Sequence, residues 1–85
     1  MKAFDYTIQA PLGMHARPAG LLAKQAKSYQ SVCAIEFDGK RAELTRLLAV
    51  MGLGIVCGSP VTVTADGEDE DYAIGQLREF FEANF

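Results

Sequence analysis

Residues 33–44 read Cys33-Ala34-Ile35-Glu36-Phe37-Asp38-Gly39-Lys40-Arg41-Ala42-Glu43-Leu44. Cys33, Ile35 and Phe37 alternate with Ala34 and Glu36, the period of a strand that buries one face. Asp38-Gly39 joins that run to Lys40–Leu44, and an Asp-Gly pair between alternating runs is a strong hairpin signal. Two antiparallel strands therefore sit at the middle of the chain.

Upstream, Phe4, Tyr6 and Ile8 alternate with Asp5, Thr7 and Gln9, so residues 3–10 read as a half-buried strand. Pro11-Leu12-Gly13 ends it. Ala19, Leu22, Ala23 and Ala26 then fall at i, i+3, i+4 and i+7, the buried stripe of a helix over residues 16–28. Pro18 lies in the first turn, where its missing N–H costs nothing. Lys24 and Lys27 point away from the stripe and suit the negative end of the helix dipole.

Downstream, Leu47–Leu53 is apolar on nearly every side and is punctuated by Gly52 and Gly54, which reads as a short helix with Thr45 as its cap. Val61–Ala65 is a further alternating strand. Glu68-Asp69-Glu70-Asp71 loads the first turn of a last helix with negative charge. Ile74, Leu77 and Phe81 form its stripe, widened by Phe80 and weakened by Gly75.

The order is β-α-β-β-α-β-α. Four strands with polar alternation bury one face under helices and leave the other wet, so the class is α+β with a mostly antiparallel sheet. Residues 1–85 are expected to make a single domain. An apolar content of 49% and a charged content of 22% suit a folded protein. The formal charge of −3 argues against nonspecific binding to nucleic acid. No apolar run is long enough to span a bilayer, and Met1-Lys2-Ala3-Phe4-Asp5 turns polar too soon for a cleavable leader. Cys33 and Cys57 lie in apolar stretches without metal-ligand spacing and read as reduced core thiols in the cytoplasm.

The only histidine, His15, stands in Leu12-Gly13-Met14-His15-Ala16-Arg17-Pro18-Ala19-Gly20, at the entrance of the first helix. Neutral imidazole accepts phosphoryl groups, and a helix N-terminus binds the resulting anion. The N–H groups of Ala16 and Arg17 lack intrahelical partners there and are the candidate phosphate-binding backbone. Arg17 adds a forked, permanent positive charge matched to phosphate oxygens. No Cys, Asp or Glu lies nearby to complete a metal site or a nucleophile–base pair, so neither zinc nor hydrolysis is indicated.

The segment Gly13-Met14-His15-Ala16-Arg17-Pro18-Ala19 closely resembles the active-site signature of HPr, the histidine-containing phosphocarrier family of the bacterial phosphoenolpyruvate:sugar phosphotransferase system. The likeness continues through Asp38-Gly39-Lys40, Val50-Met51-Gly52-Leu53-Gly54 and Ala65-Asp66-Gly67-Glu68-Asp69-Glu70. It implies an open-faced β-sandwich, with three helices over one face of a four-stranded antiparallel sheet. It also implies a carrier rather than a free-standing enzyme. His15 would take a phosphoryl group on Nδ1 from Enzyme I, itself charged by phosphoenolpyruvate. It would then pass the group to a histidine on a sugar-specific IIA domain, with Arg17 stabilising the transfer. No metal or organic cofactor, no nucleic acid and no direct membrane insertion are implied, and the expected form is a monomer.

Such a carrier meets its partners in turn through one surface. Leu47, Leu48 and Met51 are the expected apolar contact, with Arg17, Lys24, Lys27 and Arg46 as a basic rim that steers acidic partners. Many relatives hold a regulatory serine where this chain has Arg46. Arginine cannot take that phosphate and carries the opposite charge, so serine-kinase regulation is not expected. Two other readings share the signature: a regulatory binding protein of the same fold, and a carrier of the nitrogen-linked phosphotransferase branch.

Overall fold

Asp38 and Gly39 both have positive φ, 54° and 76°, the backbone that a two-residue hairpin turn demands. In the computed structural model, which describes residues 1–85, this turn links β2 (Val32–Phe37) to β3 (Lys40–Glu43). The remaining elements are β1 (Lys2–Thr7), α1 (Ala16–Ala26), α2 (Leu47–Met51), β4 (Pro60–Asp66) and α3 (Glu70–Asn84), in the expected order β-α-β-β-α-β-α. All strand pairs are antiparallel and the sheet runs β1-β4-β2-β3. Three helices cover one face, giving the α+β open-faced β-sandwich.

Register decides which residues meet the helices. Phe4, Val63, Ile35 and Ala42 align across the four strands, and all four are buried. One position along, Asp5, Thr62, Glu36 and Arg41 align on the opposite, open face. There the Thr62 hydroxyl donates to the Asp5 carboxylate at 2.7 Å. Ala34 and Thr64 also occupy that open face yet are buried. They are small residues on the two inner strands, screened from both sides.

The core joins Leu22 of α1, Val50 of α2 and Ala73, Leu77 and Phe81 of α3 to the buried strand residues. Phe81 takes Phe4 and Tyr6 edge-on, each at a centroid distance of 5.7 Å. Arg78 caps the Phe4 ring from outside, its guanidinium carbon 4.7 Å from the centroid. At the head of α3, Asp69 accepts from the Ser31 hydroxyl and from the backbone N–H groups of Gln30 and Ser31, tying the loop before β2 to the helix. The Ser31 hydroxyl foremost, then these N–H groups, hold the Asp69 carboxyl below its usual range. Its contribution to stability is present above the ordinary carboxylate pKa and is lost as pH falls through the lowered value.

Several boundaries differ from the sequence reading. β1 stops at Thr7 rather than residue 10, because the N–H groups of Gln9 and Ala10 turn to the backbone oxygen of Phe85. α1 ends at Ala26 rather than 28; the Ser28 hydroxyl donates to the Gln25 carbonyl and competes with the next helical turn. α2 ends at Met51 rather than Leu53, where Leu53 and Gly54 close tighter i−3 bonds. Thr45 does not cap α2. It lies inside the turn closed by the Arg46 N–H on the Glu43 carbonyl, so the N-cap is Arg46, with no side-chain cap bond. α3 begins at Glu70, and its innermost line is Ala73, Leu77 and Phe81, with Ile74 only partly buried.

The cysteines also part company. Cys33 is buried and burial pushes its thiol up to about 11, whereas Cys57 is exposed and not a core thiol. Cys57 sits in the 55–59 loop, its Sγ 3.6 Å from the Gln9 carbonyl oxygen.

Gly75 faces open space, and a Cβ built there meets nothing within 4 Å. Gly75→Ala is expected to stabilise the protein by about 1 kcal/mol, raising Tm by about 4–8 °C for a domain of this size. Thermal denaturation checks this, and an unchanged or lower Tm contradicts it.

Candidate functional site

The loop before α1 is built by backbone bonds to two distant segments. Ile8 donates to the Ser59 carbonyl at 2.9 Å and accepts from the Gly58 N–H at 2.7 Å. Gly13 N–H closes a turn on the Ala10 carbonyl at 2.9 Å, with Pro11 preset in its second position. Met14 then donates to the Ile55 carbonyl at 3.1 Å and buries its side chain in the core. Gly13 itself has φ +65°, and a Cβ there would fall 2.6 Å from both the Ile55 carbonyl oxygen and the Val56 Cα. The glycine is therefore required twice, for its backbone angle and for the close approach of the 55–59 loop.

His15 is the N-cap of α1, with extended φ −117° and ψ 163°, and its carbonyl accepts the Ala19 N–H at 3.0 Å. Its side chain makes no cap bond to the helix. Instead Nδ1 lies 2.8 Å from the Gly13 carbonyl oxygen. A carbonyl only accepts, so in this arrangement Nδ1 carries a proton and donates. The half-buried imidazole also stands at 86° to the Phe85 ring, with centroids 6.5 Å apart.

The N–H groups of Ala16 and Arg17 have no acceptor in the protein, and Pro18 has no N–H to offer. The first turn contains no acidic residue. The positive end of α1 is thus uncompensated beside the imidazole. The side chains of Arg17, Lys24, Lys27 and Arg46 are exposed, and the ion pairs of the protein lie elsewhere, at Met1 and Lys2.

α2 packs beside α1. Leu48 is 85% exposed, while Leu47 and Met51 are half-buried against the core and Val50 is fully inside. The five-residue helix therefore divides its apolar side chains between core and solvent.

Two features of the site escape the sequence reading. Leu12 and Val56 are exposed apolar side chains on the two loops that meet at Gly13. The second feature is the Phe85 ring against His15. A signal for it exists in the sequence, because Phe81 and Phe85 continue the i, i+4 spacing of the α3 stripe. No group of three His, Cys, Asp or Glu side chains is placed to hold a metal ion. No helix is long and apolar enough to cross a membrane.

The family model for the PTS HPr component phosphorylation site matches residues 2–83. The chain is similar to the phosphocarrier protein HPr of Lysinibacillus sphaericus, with 42% identity over 77 residues, 91% of this chain and 88% of that protein. Its fold is similar to HPr-C-His of Thermoanaerobacter tengcongensis, with a TM-score of 0.91 and 34% identity, covering 98% of this chain and 93% of that one. It is also similar to Crh of Bacillus subtilis, a dimer with a swapped domain, at a TM-score of 0.78 and 30% identity over 98% of this chain and 95% of that one.

Proposed function

This chain belongs to the HPr family of phosphotransferase-system phosphocarriers, which are not free-standing catalysts, and from that premise we propose that His15 carries the phosphoryl group. Enzyme I is the donor and sugar-specific IIA domains are the acceptors. The observation that carries this reading is the placement of the only imidazole at the N-cap of α1, beside the unpartnered N–H groups of Ala16 and Arg17. These donors receive phosphate oxygens at the positive helix end, and the Arg17 guanidinium spreads over the charge that develops during transfer. Phosphoryl transfer asks for in-line positioning and charge stabilisation rather than covalent chemistry from other side chains.

The 2.8 Å contact between Nδ1 and the Gly13 carbonyl adds a step. If Nδ1 is the acceptor atom, its proton must first leave to solvent while Nε2 takes one, so that the ring passes to its other neutral tautomer. The freed lone pair then points at phosphorus once the ring turns from the carbonyl. The resting contact protects the nucleophile and its release arms it.

Partners dock on Leu47, Leu48 and Met51, with Arg17, Lys24, Lys27 and Arg46 as the steering rim. The acting form is a cytoplasmic monomer of one domain, residues 1–85, since the same face must stay free for successive partners. Leu48→Asp is expected to lower the rate of phosphorylation by Enzyme I about tenfold. Its Tm stays near wild type, because the side chain is 85% exposed. An unchanged rate contradicts the surface assignment.

The experiment that tests the carrier reading mixes the protein with phosphoenolpyruvate and Enzyme I and follows phosphate onto the chain. Acid-labile, alkali-stable phosphate at one group per chain is expected. Absence of label under conditions where Enzyme I is itself charged overturns the reading.

A further inference from the structure

Phe85 meets His15 in a way that the carrier chemistry above does not use. Its ring is buried, held by Phe81 at a centroid distance of 5.1 Å and by Phe80 at 6.0 Å. Against that anchored ring the imidazole stands nearly perpendicular, at 86° and 6.5 Å. Perpendicular aromatic pairs at such distances are attractive and orientation-dependent. The backbone oxygen of the same residue accepts the Gln9 and Ala10 N–H groups, and the Ala10 carbonyl accepts from Gly13. Gly13 in turn supplies the carbonyl that holds Nδ1. Both restraints on the imidazole, the carbonyl and the ring, thus trace back to Phe85.

We propose that Phe85 is a positioning residue for His15, limiting the swing of the imidazole once Nδ1 leaves the Gly13 carbonyl. The ring then turns toward the free N–H groups of Ala16 and Arg17 rather than out into solvent. This role rests on the reading of His15 as the phosphoryl acceptor. It places the control of reactive geometry at the C-cap of α3, far in sequence from the helix that binds the phosphate.

Two measurements on Phe85→Leu and Phe85→Tyr test it. In phosphorylation by phosphoenolpyruvate and Enzyme I, Phe85→Leu is expected to lose about tenfold in kcat with KM for the carrier unchanged, while Phe85→Tyr keeps wild-type kcat. In long-range proton–nitrogen spectra of the unphosphorylated proteins, the His15 ring resonances move in Phe85→Leu and stay in place in Phe85→Tyr. A loss of packing alone would not follow the presence of a ring. Phe85→Met repeats the comparison if the leucine variant lacks native amide dispersion. Unchanged His15 resonances in the ring-less variant, or unchanged kcat, overturn the proposal. If even the wild type takes no phosphate, the carrier reading falls, and the spectra still decide whether Phe85 orients the imidazole.

Discussion

His15→Ala is expected to take up no acid-labile phosphate from phosphoenolpyruvate and Enzyme I, while remaining folded. The chain has one histidine, so no second imidazole can substitute. The neighbouring Arg17, Lys24 and Lys27 do not replace it, because a guanidinium or an ammonium group carries donors and no free lone pair. The structural cost is small. His15 is half-buried, its only hydrogen bond through the side chain is the one to Gly13, and its aromatic contact is with Phe85. Losing both costs about 1–2 kcal/mol, and the N-cap backbone geometry survives in alanine. Intact-mass analysis and circular dichroism on the same sample separate loss of the acceptor from loss of the fold. Phosphate retained on the folded alanine variant would place the acceptor elsewhere and dismantle the site assignment.

Gly13→Ala is expected to be among the most damaging single-methyl changes in the molecule. Alanine must adopt φ +65°, and its Cβ would lie 2.6 Å from the Ile55 carbonyl oxygen and the Val56 Cα. Both obstacles are backbone, so no rotamer change relieves them. The two loops must separate, which stretches the 3.1 Å bond from the Met14 N–H to Ile55 and disturbs the buried Met14. Strain and a weakened bond together amount to about 3 kcal/mol, or about 12–24 °C of Tm for a domain this small. Phosphorylation suffers as well, because the displaced loop is the one that seats His15 at the head of α1. A Gly13→Ala protein that melts within a few degrees of wild type would show that the loops part freely.

How much of this could be read from the residues alone depended on whether local chemistry or distant packing decided each feature. The hairpin was legible because Asp38-Gly39 demands a backbone that few other pairs adopt, and both φ values are positive. Helix α1 was legible from its stripe, and Ala19, Leu22, Ala23 and Ala26 are all buried. The end of β1 was not, because it is set by the Phe85 backbone oxygen, far away in sequence. Thr45 misled for a different reason: cap propensity is local, but the β3–α2 turn consumed that residue first. Cys57 looked like a core thiol beside Ile55 and Val56, yet only Ile55 of the three points inward. At the site, the unpartnered N–H groups of Ala16 and Arg17 followed from helix geometry. The Nδ1 contact with Gly13 and the Phe85 ring did not, since both arise from three-dimensional closure.

The position of β4 has a consequence for when the protein becomes competent. This strand, Pro60–Asp66, lies between β1 and β2, so the first strand of the chain has no neighbour until the last strand has formed. A chain emerging from the ribosome through Gly54 already holds His15, Arg17, the first helix and the hairpin. It lacks the Ile55 carbonyl that anchors Met14, the 58–59 segment that pairs with Ile8, and Phe85. Contacts this far apart in sequence close late, because loop entropy must be overcome before they reward the chain. The site proposed at His15 is therefore completed only once residues 55–85 are in place, and half-made chains present their histidine without the contacts that hold it.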